Sequence, residues 1–253
     1  MALTKVIGDG LGGTNNLTVD TDTLIVDSTN DNVGINVASP NNYYSKELVV
    51  GVPDNGGITI LNSGTTHAGC IMFADGTGTS AYRGQIVYDH NDDSIGIWTA
   101  AVNAMRIDST GAMTKQNQPA FQVNPASNQL NLADSDVLVF GQEKFDQNSD
   151  FASNTFTAPV TGKYQLQLTA RIDQIDTDAN WVRIEMVTSN REYQTSIFDP
   201  DAFDKDPDYW SINFGVLADM DAGDTVFLRW GQSGGSNTAD FDSQAHFSGY
   251  LVA

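Results

Sequence analysis

FTAPVTGKYQLQLTARI, from Phe156 to Ile172, sets Pro159 and Gly162 three residues apart and then places an apolar residue at every second position: Tyr164, Leu166, Leu168, Ala170 and Ile172. Period-two alternation is the mark of a strand with one buried face, and proline and glycine are turn residues. The stretch reads as the end of one strand, a tight corner and the start of the next. Phe156 and Tyr164 then point inward from consecutive strands. Pro159 fixes one backbone angle of the corner, and Gly162 is expected to supply a positive one.

Working outward, the same texture continues to the C-terminus. SDVLVFG (135–141), NWVRIEMVTS (180–189), YWSINFGVLADM (209–220), GDTVFLRWG (223–231) and AHFSGYLVA (245–253) are each expected to be strands of an antiparallel sandwich. Toward the N-terminus, KQNQPAFQVNPASNQ (115–129) carries two prolines without strong alternation, and a region boundary is placed near residue 117. Before it lie shorter pieces: NLTVDTDTLIVD, DNVGINV, GITILNS (57–63), GCIMFAD, RGQIVYDH, SIGIWTA and AMRIDSTGAM, spaced by Gly, Asn, Asp and Thr. Such short strands are marginal alone and need partners.

Composition agrees with an all-β chain. Of 32 acidic residues 28 are Asp and 4 are Glu. Asp hydrogen-bonds locally in turns, whereas Glu favours helices, so helices are expected to be few. The net charge of -20, without a Lys/Arg cluster, argues against a nucleic-acid partner. Neither a signal-peptide pattern nor an apolar run of roughly 20 residues is present, so synthesis and solubility in a cytoplasm, without membrane insertion, are the expectation. The single cysteine, Cys70, cannot form an intrachain disulfide and reads as a small buried hydrophobe.

Three motifs in order carry a resemblance. Phe156, Pro159, Gly162 and Tyr164; then Gly223, Asp224 and Val226; then Phe247, Ser248, Gly249 and Leu251 resemble the corner, strand start and terminal strand of the complement C1q and tumour necrosis factor jelly-roll family. The likeness spans residues 118–253. It implies a homotrimer in which one sheet of each jelly roll is buried at a three-fold axis. Upstream, DNVGINVASP and the stretch from Phe73 to Met113 resemble bacteriophage fibre and spike proteins. The combined expectation is an all-β chain: a docking segment at 1–40, a strand-rich trimeric fibre shaft at 41–116 and a C1q-like jelly-roll head at 117–253.

Candidate chemistry is sparse. Gly8, Gly10 and Gly13 have dinucleotide-fingerprint spacing, but the strand-like TNNLTVD follows where a helix is required, so they read as part of a docking segment. Asp176–Asn180 begins like a calcium loop, yet Trp181 and Val187 occupy the positions of the turn glycine and closing glutamate. Asp199, Asp201, Asp204, Asp206 and Asp208 crowd one loop; calcium is the cation it would take, against the plainer reading of solvated turn residues. His67, His90 and His246 share no metal spacing. Trp181 and Trp230 read as core by their alternation, while Tyr209 and Trp210, after the acidic loop, are candidate receptor contacts.

No catalytic residues are assigned. The expected protein is a non-enzymatic virion-surface fibre, on tail or head, whose residues 1–40 contact other virion proteins and whose head meets a host-surface glycan or protein. A capsid decoration protein and a free C1q-like binding protein are the competing readings.

Overall fold

The computed structural model describes residues 17–19, 23–27, 29–52, 54–194 and 196–253. These residues form strands and turns, and the helical pieces among them are three short 3-10 turns at Pro40–Asn42, Gly78–Tyr82 and Pro200–Ala202. By packing, the chain divides into two units, 1–69 and 70–253.

In the first unit a four-stranded sheet runs in chain order: β1 (Leu17–Val19), β2 (Leu24–Asp27), β3 (Asn32–Ile35) and β4 (Leu48–Val50). The first three pair antiparallel and β4 lies parallel to β3. The strand expected at 57–63 does not form; Ile58 and Leu61 are 73% and 90% exposed. Alternation proposes a strand, but pairing must supply one. The docking candidates Gly8, Gly10 and Gly13 lie outside the described residues.

From residue 70 the second unit holds a sheet in chain order, β5 (Ala68–Phe73, its first two residues counted with the first unit), β6 (Gly84–Asp89), β7 (Ser94–Thr99), β8 (Val102–Ile107) and β9 (Met113–Thr114). Its turns explain the preference for Asp over Glu. The Asp108 side chain accepts from the backbone N–H of Thr110 and Ala112, Asp89 accepts from that of Asn91, and Asp93 sits at φ 52°. A longer side chain would overshoot these local donors. Cys70, expected to be buried, is half-buried on β5, the edge strand of this sheet.

Residues 120–251 build a two-sheet sandwich. One sheet has the order β11 (Gln142–Asp146), β10 (Ala120–Asn124), β20 (His246–Leu251), β14 (Gly162–Asp173), β17 (Tyr209–Met220), with β19 (Asp240–Phe241) also on β14. The other runs β12 (Phe151–Ala152), β13 (Thr155–Thr157), β18 (Thr225–Gly234), β15 (Ala179–Thr188), β16 (Glu192–Tyr193). Two departures from expectation concern strands. β10 was hidden because AFQVN is short and bracketed by Pro119 and Pro125, yet its Phe121 and Val123 are fully buried. Conversely SDVLVFG forms no ladder: it lies along β18 through one isolated bridge, Val137 to Arg229, and three backbone hydrogen bonds to Leu228 and Trp230, while burying Leu138 and Phe140.

Between the sheets, alternate residues of β14, β15, β17, β18 and β20 interlock with Trp230, Tyr164, Phe121, Phe156, Phe241 and Phe247, all fully buried. Phe121 is the hub: its ring lies 4.7 Å from Phe156, 5.2 Å from Phe151 and 5.1 Å from Phe247. The opening corner closes as expected on Phe156 and Tyr164, with the Tyr164 hydroxyl donating to Val160 O at 2.7 Å. Gly162 serves differently, since its φ is not positive. A Cβ there would stand 2.6 Å from both Ala253 O and Leu251 Cδ1, so glycine is required by close approach of the last strand.

Candidate interaction surfaces

The two outward faces of the sandwich differ in chemistry. Strand register across the β11–β10–β20–β14–β17 sheet aligns one row of Phe145, Gln122, Ser248, Gln167 and Gly215. The adjacent row is Ala120, Tyr250, Gln165 and Leu217. None of these nine side chains is charged. Tyr250 and Leu217 are 53% and 58% exposed, and Phe145 is 48%. On the long strands ionic groups stand at the ends, where Lys163 pairs with Asp219 and Arg171 grips Asp173 and Asp242, and the edge strand β11 adds exposed Glu143 and Lys144 beside Phe145.

The opposite face is ionic. Glu185 of β15 is 1% exposed because Arg183 and Arg229 close over it, and Arg229 also reaches Glu192 at 3.3 Å. A buried carboxylate between two guanidiniums is satisfied only while both stay in place. Trp181, expected in the core, lies half-buried on this outward face, with the Arg183 guanidinium 4.3 Å from its ring. Alternation alone fixes the parity of a residue but not which face is the core. Trp230 is in the core as expected.

At one end of the sandwich, the acidic loop is used for local bonding. Asp199 accepts from Asp201 N and Asp206 from Thr177 N and Oγ1, while Asp208 stands 3.8 Å from Lys205. The charge of Asp199 raises the Asp201 carboxyl above its ordinary value. Among the described residues no three His, Cys, Asp or Glu side chains, Asp204 included, converge as a metal site. Tyr209 and Trp210 diverge, as neighbours on a strand must. Tyr209 is 68% exposed and lies 5.0 Å from the Arg171 guanidinium, whereas Trp210 turns inward against Phe198 and Phe203.

Two motif residues hold the opposite end. Gly223 takes φ 93°, and the Asp224 carboxylate accepts from Asp221 N, Ser189 Oγ and Asn190 Nδ2. Gly249 faces the core: a Cβ would meet Leu166 Cδ2 and Phe121 Cε1 at 2.7 Å. Near this end an open cleft of about 670 Å³ is lined by Lys115, Pro119, Asp150, Val160 and Leu251 among others. Burial, and then the charge of Asp146, raises the Asp150 carboxyl above its ordinary value.

This sandwich, with its glycine and aromatic positions, coincides with a family match: residues 120–252 match the C1q domain. The chain belongs to the C1q domain family. C1q domains are typically trimeric, ligand-binding modules without enzymatic activity. Among solved structures, the globular domain of zebrafish complement 1qA protein is similar at 19% identity and TM-score 0.42, covering 54% of this chain and 98% of that one. No curated protein matches the chain. Within the C1q domain, the neutral rows went unseen in the sequence, because they join residues 122, 145, 167, 215 and 248 through register that no local pattern encodes. The one local trace was glutamine at alternate positions in YQLQL.

Proposed function

We propose that the chain is a non-enzymatic homotrimeric virion protein, a phage tail or head fibre that docks through residues 1–40 and presents its C1q domain to a host-surface glycan or protein. The observation that carries the assembly is the neutral outward face of the β11–β10–β20–β14–β17 sheet. Chains of net charge -20 repel one another, so they associate through a face that brings no further charge together. Exposed Tyr250, Leu217 and Phe145 amid amide side chains make such a face, whereas the Arg183–Glu185–Arg229 side is suited to solvent. The virion setting is supported by the strand-rich region before the C1q domain and its likeness to phage fibres. Trimeric heads then act by multivalency, since several weak contacts held together retain a particle that one would not.

Light scattering on the purified chain tests the assembly: the expected mass is about three times the 27.3 kDa of one chain. Labelling residues 1–12 in intact particles tests the setting. A label at the particle surface, on tail or capsid, supports the virion role and distinguishes a tail fibre from a head fibre or decoration protein. A 27.3 kDa species absent from particles overturns the proposal in favour of a free C1q-like binding protein.

A further inference from the structure

The sheet that precedes the C1q domain has one face made almost wholly of apolar side chains. Register places Tyr88, Ile95, Ile107 and Met113 in one row across β6 to β9, and Ile86, Ile97 and Met105 in the next. The reverse face carries Gln85, Trp98 and Asn103, then Val87, Gly96, Arg106 and Thr114, and holds the Arg106–Asp92 ion pair. Phe73 joins the apolar side, since a Cβ on Gly84, two residues before Ile86, would lie 3.1 Å from Phe73 Cβ. Phe73, Ile86, Ile95 and Met113 are 58%, 43%, 41% and 56% exposed. Together these rows present apolar area on the order of several hundred Å², comparable to the largest patch of an ordinary monomer, which is often functional.

We infer that this face packs against the same face of two further copies of the chain, extending the three-fold contact beyond the C1q domain; the inference rests on the trimer proposed above. Three observations select a second copy as the occupant. The two rows contain no charged side chain, the Asp93 carboxylate standing at their margin where it accepts from the Tyr88 hydroxyl, and a partner with the same net charge of -20 favours such a face. It is continuous with the neutral face of the domain, because Met113 and Tyr250 line one shared cleft with Lys115 and Pro119. The connection is also short and tied down. Gln147 Nε2 donates to Lys115 O and Gln116 O at 2.7 Å, and Asn148 Nδ2 to Asn117 O at 3.1 Å. If three domains meet at an axis, three such sheets are delivered beside it, at high effective concentration.

Single-cysteine cross-linking of the full chain tests this. In a Cys70→Ser background, Tyr88→Cys places a thiol on the apolar face and Val87→Cys places one on the reverse. With a short bis-maleimide, Tyr88→Cys is expected to give about ten-fold or more covalent chain pairs than Val87→Cys, because groups held at an interface react at mM rather than free-chain concentration. Ile95→Cys provides a second site should Tyr88→Cys fail to assemble. A species of trimer mass in which the apolar-face cysteines cross-link no better than Val87→Cys overturns this inference and leaves the trimer standing. A single-chain mass overturns the trimer itself, and with it this inference.

Discussion

At the residue scale the glycines and aspartates are specialised, and each kind yields a prediction. Gly249 is glycine because Phe121, the hub of the aromatic core, leaves no room for a methyl group. Gly249→Ala is expected to cost about 1–3 kcal/mol of stability, the range for overpacking a close-packed core, and denaturant unfolding would read it. Asp224 and Asp150 carry opposite signs. Hydrogen bonds, first from the Ser189 hydroxyl and then from Asp221 N–H, hold the Asp224 carboxyl below its ordinary value. Its contribution is therefore present above the unfolded value near 3.8 and lost as pH falls through the lower folded value. Asp150 is raised, chiefly by burial, and its Oδ2 is buried without a hydrogen-bond partner. The folded state then binds that proton more tightly than the unfolded chain, so stability declines as pH rises from about 3.8 through the folded value. Asp224→Asn should lower the unfolding midpoint at pH 7 and Asp150→Asn should raise it, with both differences shrinking toward pH 3. Melting curves across that range check the pair, and equal responses would refute the assignment.

At the scale of elements, the β7–β8 hairpin shows a turn working against its residues. Ala100 and Ala101 stand at φ 50° and 64°, a region that costs an L-residue roughly 1–2 kcal/mol and glycine almost nothing. Ala101→Gly is therefore expected to stabilise the chain by about 0.5–1 kcal/mol, the strain relieved less the entropy that glycine adds to the unfolded state. A lower melting temperature would show that the turn is not strained in solution. The same contest between local pattern and tertiary pairing decided which strands could be read in advance. The long strands β14, β15, β17 and β18 alternate over ten or twelve residues and were plain. Five-residue β10 was not, since the prolines on either side outweighed two buried side chains. GITILNS and SDVLVFG alternate as convincingly, but the first makes no ladder and the second makes one bridge. The candidate surfaces were harder still. Following an acidic loop marked both Tyr209 and Trp210 as surface candidates and only Tyr209 is exposed, whereas the neutral rows exist only once five distant strands come into register.

At the scale of the whole molecule, net charge sets the conditions under which the proposed fibre works. Each chain carries -20, so a trimer approaching an anionic cell surface meets repulsion whose reach is the Debye length, about 8 Å at 0.15 M salt and about 30 Å at 0.01 M. Within the proposed trimer the chains also repel one another more strongly at low salt, but the contact itself rests on apolar burial, which does not depend on screening. Adsorption is exposed to the full effect where the head meets the surface through the acidic loop, which is itself solvent-exposed together with Tyr209. Particle adsorption is thus expected to fall several-fold on transfer from physiological salt to low-salt medium containing a chelator, and to recover when monovalent salt is restored. Light scattering in both media separates the two levels: the chain should keep its assembled mass while adsorption falls. If recovery requires a divalent cation and sodium chloride does not suffice, a specific bridge between the acidic loop and the receptor replaces simple screening. Undiminished adsorption in the low-salt medium would mean that the receptor surface is not anionic where the head meets it.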